Sequence, residues 1–173
     1  MNRRYFLGLA LSAAATPVLA KRTNRRARIL SFRHLHTEEK IHVAYRIGDH
    51  YQRDALHKLN TFLRDFRTGD SAVMDPKLFD LLYDIKRRVG DGVFEIVSAY
   101  RSPLTNAMLR KTSRGVARNS LHMRGQALDI RFSDVSTRRI RDSAVSLRRG
   151  GVGFYPRSDF VHVDTGSVRR WGA

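Results

Sequence analysis

The sequence predicts an α+β fold, a mainly antiparallel sheet with helices packed on one face. Runs of β-prone residues stand before, between and after the helical segments, without the steady β-α alternation that builds a parallel sheet. Leu56, Leu59, Phe62, Leu63 and Phe66, and again Leu78, Leu81, Leu82 and Ile85, recur at three- and four-residue spacing, the period of a helix with one buried face. From Gln126 to Phe132 the period is two instead, so that apolar and polar residues take opposite faces of a strand.

The chain opens on Met1-Asn2-Arg3-Arg4, an apolar run from Tyr5 to Ala15, and Pro17-Val18-Leu19-Ala20, which is the order of an export signal over residues 1–20 with cleavage after Ala20. The run is shorter than the ~20 residues a bilayer span needs, so no stable membrane anchor is expected. Arg3 and Arg4 ahead of Tyr5-Phe6-Leu7 fit a twin-arginine signal, an address that sends a folded protein to the periplasm. Residues 21–28 carry Lys21, Arg22, Arg25, Arg26 and Arg28 without an apolar pattern and read as a flexible basic arm, leaving 29–173 as one domain.

Two β-prone runs from Ile29 to Arg46 flank Thr37-Glu38-Glu39-Lys40 and predict a hairpin. His34 and His36 share a strand face there, which makes a second metal site conceivable, although exposed strand histidines are the commoner case. The first amphipathic helix is expected from Gln52 to Arg67. The second opens at Asp75-Pro76, a cap followed by proline at the first helical position, and runs to Gly90. A strand over Val93–Ala99, a short helix over Pro103–Lys111, a polar loop over Thr112–Leu121 and a helix over Ser136–Leu147 complete the expected elements, with no internal repeat.

The hydrophobic share of 42% suits a folded domain, and the absence of cysteine excludes disulfides, thiolate ligands and lipid attachment through a thiol. Any metal must therefore use His, Asp or Glu. The net charge is +17, or +15 without Arg3 and Arg4, and calls for an anionic partner or surface. An exported protein meets cell-wall carboxylates and anionic head groups, so nucleic acid is not the expected partner.

Two stretches carry chemistry. Within Ser120-Leu121-His122-Met123-Arg124-Gly125-Gln126-Ala127-Leu128-Asp129, the alternation turns Asp129 away from the apolar face, and Gly125 lets the chain bend so that His122 folds back over that same side. In Asp159-Phe160-Val161-His162-Val163-Asp164, a strand puts Phe160, His162 and Asp164 on one face and Val161 and Val163 on the other. Laid side by side, the two strands gather His122, Asp129 and His162, two imidazoles and one carboxylate, a set that suits a catalytic zinc with one position open to water. Taken singly, each residue also has a purely structural reading, a satisfied strand histidine or a loop-capping aspartate.

Ser120-x-His122-x-x-Gly125-x-Ala127-x-Asp129 with Asp159-x-x-His162 resembles the signature of the D-alanyl-D-alanine metallopeptidases, which share a fold with lysostaphin-type peptidases and hedgehog domains. Tyr100-Arg101-Ser102-Pro103, Gly151-Val152-Gly153-Phe154-Tyr155-Pro156 and His162-Val163-Asp164-Thr165-Gly166 are similar to the periplasmic murein endopeptidase K family within it. The resemblance implies Zn2+ held by His122, Asp129 and His162, and a water acidified by the ion for attack on an amide carbonyl. It implies Asp159 as the general base, with Asp164 as the rival for that role or as the partner that orients His162. In the resembling enzymes the arginine at the place of Arg101 meets the developing oxyanion, against the plain reading of one more exposed arginine. Ser120 is a candidate for holding the substrate backbone, with a plain loop role as the alternative.

The function so implied is hydrolysis of peptide cross-links between peptidoglycan stem peptides in the periplasm. Two alternatives stay open: D,D-carboxypeptidase or dipeptidase action on single stem peptides, and a non-catalytic, zinc-containing wall-binding domain. Nothing in the sequence sets an oligomeric state.

Overall fold

A computed structural model describes residues 26–113 and 115–172, so the expected signal over 1–20 and most of the basic arm lie outside the described residues. The chain forms strands β1 (Ala27–His34), β2 (Lys40–Ile47) and β3 (His50–Tyr51), helices α1 (Arg53–Phe62) and α2 (Pro76–Val89), and β4 (Phe94–Ser98). Helix α3 (Pro103–Thr112), a single 3-10 turn over Leu121–Arg124, β5 (Ala127–Phe132), α4 (Thr137–Leu147), β6 (Gly151–Tyr155), β7 (Phe160–Asp164) and β8 (Arg169–Gly172) follow. No helix among the described residues is long and apolar enough to cross a membrane.

The strands make one sheet in the order β3-β2-β1-β4-β5-β7-β6-β8. The β1–β4 and β6–β8 neighbours are parallel and the other neighbouring pairs antiparallel, so the predicted class holds. Helices α1, α2 and α4 pack on one side of this sheet. Their buried stripes, Leu59 and Phe62, Leu78 to Ile85, and Ile140 with Ala144, meet Leu30, Phe32, Phe94, Ile96, Leu128, Ile130, Val161 and Val163 from the strands. Burial of that apolar surface supplies the main driving force for the fold.

The predicted hairpin, the second helix, the short helix and the last helix sit where the sequence puts them, with Asp75, Ser102 and Ser136 each capping a helix through the side chain. Three differences have local causes. Helix α1 stops at Phe62 rather than Arg67 because Asp65 takes backbone amides for itself: its carboxylate accepts from Arg67 N at 3.0 Å and from Ser102 N at 2.9 Å. Phe66 is thereby released from the helix and stacks on His36, ring centroids 3.9 Å apart. The arm ends two residues early, since β1 begins at Ala27 and Arg28 pairs with Asp80. Strands β3, β6 and β8 were not expected; β6 and β8 are rich in glycine or arginine and carry no clean alternation.

Among the described residues, the conceivable second metal site at His34 and His36 is not formed. His34 Nδ1 accepts from the His36 and Thr37 amides, and His36 Nε2 lies 3.2 Å from the Val97 carbonyl, so both rings are used by the backbone. The common strand face also fails because β1 ends at His34 and His36 lies in the turn that follows.

Asp80 ties the helical layer to the first three strands. Its carboxylate accepts from Tyr51 Oη at 2.6 Å, Tyr45 Oη at 2.9 Å, Arg46 Nη1 at 2.9 Å and Arg28 Nη1 at 3.0 Å. Burial pushes its pKa up, but the hydrogen bonds of Tyr51 and Tyr45 and the charge of Arg46 outweigh it and the net shift is downward. A carboxylate with a lowered folded pKa contributes stability above its unfolded value of about 3.9 and loses it as the pH falls through the folded value. Asp80→Ala, which strands two phenols and two guanidinium groups, should cost about 3 to 5 kcal/mol in urea denaturation at pH 7. Asp80→Asn should flatten the loss of stability below about pH 4; an unchanged acid limb would remove Asp80 from this role.

Candidate metal centre

The β5–β7 ladder sets the site. Asp129 stands directly opposite His162 and Ala127 opposite Asp164, so the residues that point away from the helices converge on one patch. His122 arrives from the 3-10 turn. Ser120 caps that turn, its Oγ accepting from His122 N, and Gly125 closes it at φ 65°. A Cβ on Gly125 would lie 2.4 Å from the Val73 carbonyl oxygen, so both the left-handed backbone and the tight approach require glycine.

His122 Nε2, His162 Nδ1 and an Asp129 carboxylate oxygen face one another, with all three atoms within 4.8 Å. The separations are 3.2 Å between the two imidazole nitrogens, 2.9 Å from His162 Nδ1 to Asp129 Oδ1 and 3.3 Å from His122 Nε2 to the same oxygen. The opposite ring nitrogens are already engaged: His122 Nδ1 donates to the Ala99 carbonyl at 2.7 Å, and His162 Nε2 to Asp164 Oδ2 at 3.1 Å. Those two bonds leave the inward nitrogens as lone-pair donors, which is how protein ligands to a metal are held. Three acceptors aimed at one point need a cation between them, and the set fits a metal ion with an open coordination position.

The electrostatics agree. Asp129 is buried, which opposes its charge, but His122 and His162 beside it hold its pKa far below the usual carboxylate range. Burial lowers the pKa of His122, keeping its imidazole neutral. Burial also disfavours charge on His162, yet the hydrogen bonds to Asp129 and Asp164 prevail and push its pKa up to about 9. The pair of carboxylates thus favours a positive charge at this ring, whether a proton or a metal supplies it.

Asp164 is completely buried and saturated. Oδ1 accepts from Gly151 N at 2.9 Å and Gly166 N at 2.8 Å, and Arg169 Nη2 pairs with Oδ2 at 2.6 Å. Asp159 is placed differently. It occupies the turn between β6 and β7 at φ 50°, and its carboxylate accepts from Thr137 Oγ1 at 2.9 Å and faces Arg131 Nε at 3.7 Å. It is not brought into the cluster, and the reason is strand parity: a residue three before His162 faces the other way, and the left-handed turn takes Asp159 out of the ladder altogether.

The cluster opens into a cleft of about 500 Å³ lined by Arg101, Ser120, Tyr155, Phe160, Arg169 and Trp171 among others. Arg101 follows β4, its amide bonded to the His122 carbonyl at 3.3 Å, and its Nη2 lies 3.9 Å from Asp129 Oδ2. Its Nε is buried and has no hydrogen-bond partner among the described residues. Burial lowers its pKa, but a guanidinium stays protonated at any ordinary pH. Sequence reasoning missed Arg169 and Trp171; it put Phe160 on the His162 face and Tyr155 within a family-like motif without giving either a role. The one tryptophan of the chain, in an otherwise basic C-terminal segment, was the available signal.

Comparison with known proteins gives the same direction over the whole domain. Residues 22–171 match the family described as Peptidoglycan L,D-endopeptidase MepK. The Peptidoglycan L,D-endopeptidase MepK of Escherichia coli strain K12 is 45% identical over 176 residues, covering 98% of this chain and 97% of that protein. The Probable peptidoglycan L,D-endopeptidase MepK of Haemophilus influenzae is 42% identical over 177 residues, covering 98% of this chain and 95% of its own.

The purified protein should take up one divalent ion per chain, and His122→Ala, Asp129→Ala and His162→Ala should each lose it. Elemental analysis after gel filtration reads this directly, and full metal content in all three variants would sink the assignment.

Proposed function

The chain belongs to the peptidoglycan L,D-endopeptidase MepK family, and we propose that it is a zinc-dependent murein endopeptidase that hydrolyses peptide cross-links between stem peptides. The observation that carries the metal reading is the convergence of His122 Nε2, Asp129 Oδ1 and His162 Nδ1, with both rings turned to that point by bonds to Ala99 and Asp164. A bound zinc ion there supplies Lewis acidity, polarising a carbonyl and making water a better nucleophile at neutral pH.

The remaining work falls to side chains. Arg101 presents a fixed guanidinium beside Asp129 on the cleft wall, and suits an amide oxygen as negative charge develops on it. The attack needs no covalent link to the protein. Ser120, on the cleft wall, is the candidate for holding the substrate backbone, beside its capping of the turn that carries His122. Asp164 orients His162, a role its complete burial and full set of donors support.

Asp159 remains the proposed proton acceptor on its place at the rim, between the cleft-lining Ser158 and Phe160, and the role requires its carboxylate to turn from Thr137 Oγ1 into the cleft. The basic residues around the opening, Arg101 and Arg169 on its wall and Arg157 exposed beside it, suit peptides rich in carboxylates. The periplasm is the proposed location, and the Arg3-Arg4 signal that would direct the protein there lies outside the described residues.

Incubation with purified sacculi, followed by mass analysis of the released muropeptides, tests the activity. Cross-linked dimers should fall to monomers, and a chelator should stop the reaction. Release of terminal D-alanine alone would favour the carboxypeptidase alternative, and no product with zinc bound would favour the wall-binding domain. Asp159→Asn should keep zinc and lose turnover by about 100- to 10,000-fold, whereas Asp164→Asn should weaken zinc binding by about 10- to 100-fold and recover activity with added zinc. A near-normal Asp159→Asn measured on a muropeptide dimer would remove it from the mechanism. Replacing Arg3 and Arg4 together by Lys should strand the protein in the cytoplasm, as read by fractionation; normal periplasmic levels would point to the general secretory route.

A further inference from the structure

Strand β8 reaches across its neighbour to the metal centre. It runs parallel to β6 with Arg169 opposite Gly151 and Trp171 opposite Gly153, and β6 in turn pairs Gly153 with His162 on β7. At both β6 positions the missing side chain is what makes room. A Cβ on Gly151 would lie 2.5 Å from Arg169 Nη1, and one on Gly153 would lie 2.6 Å from the Trp171 ring. The two long side chains of β8 therefore cross over β6 and meet His162 and its partner carboxylate directly.

Arg169 grips Asp164 with both terminal nitrogens, Nη2 to Oδ2 at 2.6 Å and Nη1 to Oδ1 at 3.1 Å. Oδ2 is the same oxygen that accepts from His162 Nε2. Two residues on, the Trp171 ring lies 5.1 Å from the His162 ring and is anchored by its Nε1 donating to Tyr155 Oη at 2.9 Å. We infer that Arg169 is a positioning residue for His162, acting through Asp164, and that β8 is part of the metal centre as well as the sheet edge. The inference rests on the metal reading of the cluster.

The physical reason lies in the carboxylate. A fully buried negative charge needs a full complement of partners, and a bidentate guanidinium supplies charge and a fixed plane together. Without Arg169, Oδ2 keeps only the imidazole donor while Oδ1 is still held by two amides, so the carboxylate can tilt away from the ring. The ring's angle, and with it the direction of the Nδ1 lone pair, is then set by a looser Asp164 and by packing against Trp171 and His122.

The test uses the mature protein with Arg169→Gln and Arg169→Lys, and reads zinc affinity by competition with a chromophoric chelator and the visible spectrum of the Co2+-loaded form. Arg169→Gln should bind zinc about 10- to 100-fold more weakly, as expected for loss of a partner behind a ligand, and should alter the Co2+ bands. Arg169→Lys, with charge but no fork, should fall between it and the unaltered protein. In an Asp164→Asn background the same Gln substitution should weaken zinc binding no further. Wild-type affinity and Co2+ spectrum in Arg169→Gln, or fully additive losses in the double variant, would overturn the inference. Should Arg169→Gln not fold, as read by circular dichroism, an unchanged affinity and spectrum in Arg169→Lys would overturn it equally. Failure of the unaltered protein to bind zinc would overturn the metal reading as well, which separates the two.

Discussion

Everything at the site depends on the register of β5 against β7. With Asp129 facing His162 across an antiparallel ladder, the carboxylate and imidazole meet on the side of the sheet away from the helices, while Leu128, Ile130, Val161 and Val163 fill the core behind them. A slip of one residue would exchange the two sets, burying charge in the core and exposing the apolar residues, so burial itself enforces the register that assembles the ligands. Packing and chemistry are set by a single alternation. The helical layer on one face and the metal cluster on the other are two consequences of it.

A buried cluster of this kind needs every polar atom accounted for. His122 and His162 each spend one ring nitrogen on the protein, on Ala99 and Asp164, and so offer the other inward. Asp164 is then satisfied by backbone amides and Arg169, which allows a charge with no exposure to water. Glycines recur around these groups for one reason: Gly125, Gly151 and Gly153 stand where a methyl group would collide with backbone or with a side chain that has to pass. The family relationship, spanning nearly the full chain, joins this arrangement to peptidoglycan hydrolysis.

A second polar hub does for the fold what the cluster does for the site. Asp80, projecting from α2, gathers Tyr45, Tyr51, Arg28 and Arg46 from three strands, and Asp65 holds the start of α3 and thereby the segment that carries Arg101. In a chain of net charge +17, carboxylates are scarce. Those that are buried act as the fixed points around which arginines and backbone donors arrange themselves.

The sequence by itself determined the fold class, the presence of four helices, the cap at Asp75, the opening hairpin, and the three candidate ligands. It could do so because alternation and three-to-four spacing are local properties, and because the signature around His122, Asp129 and His162 carries its own register. What it left to the tertiary structure were effects of competition and of neighbours distant in the chain. Asp65 ends α1 early by drawing amides from Ser102 and Arg67, and backbone groups claim His34 and His36 before a metal could. Spacing along one strand could not show how differently Asp159 and Asp164 are placed, because the turn that takes Asp159 out of the β7 ladder and the arginine that pairs with Asp164 come from the backbone conformation and from another strand. β8 itself has no pattern of its own: Arg169 and Trp171 acquire their meaning only where two glycines of β6 let them through.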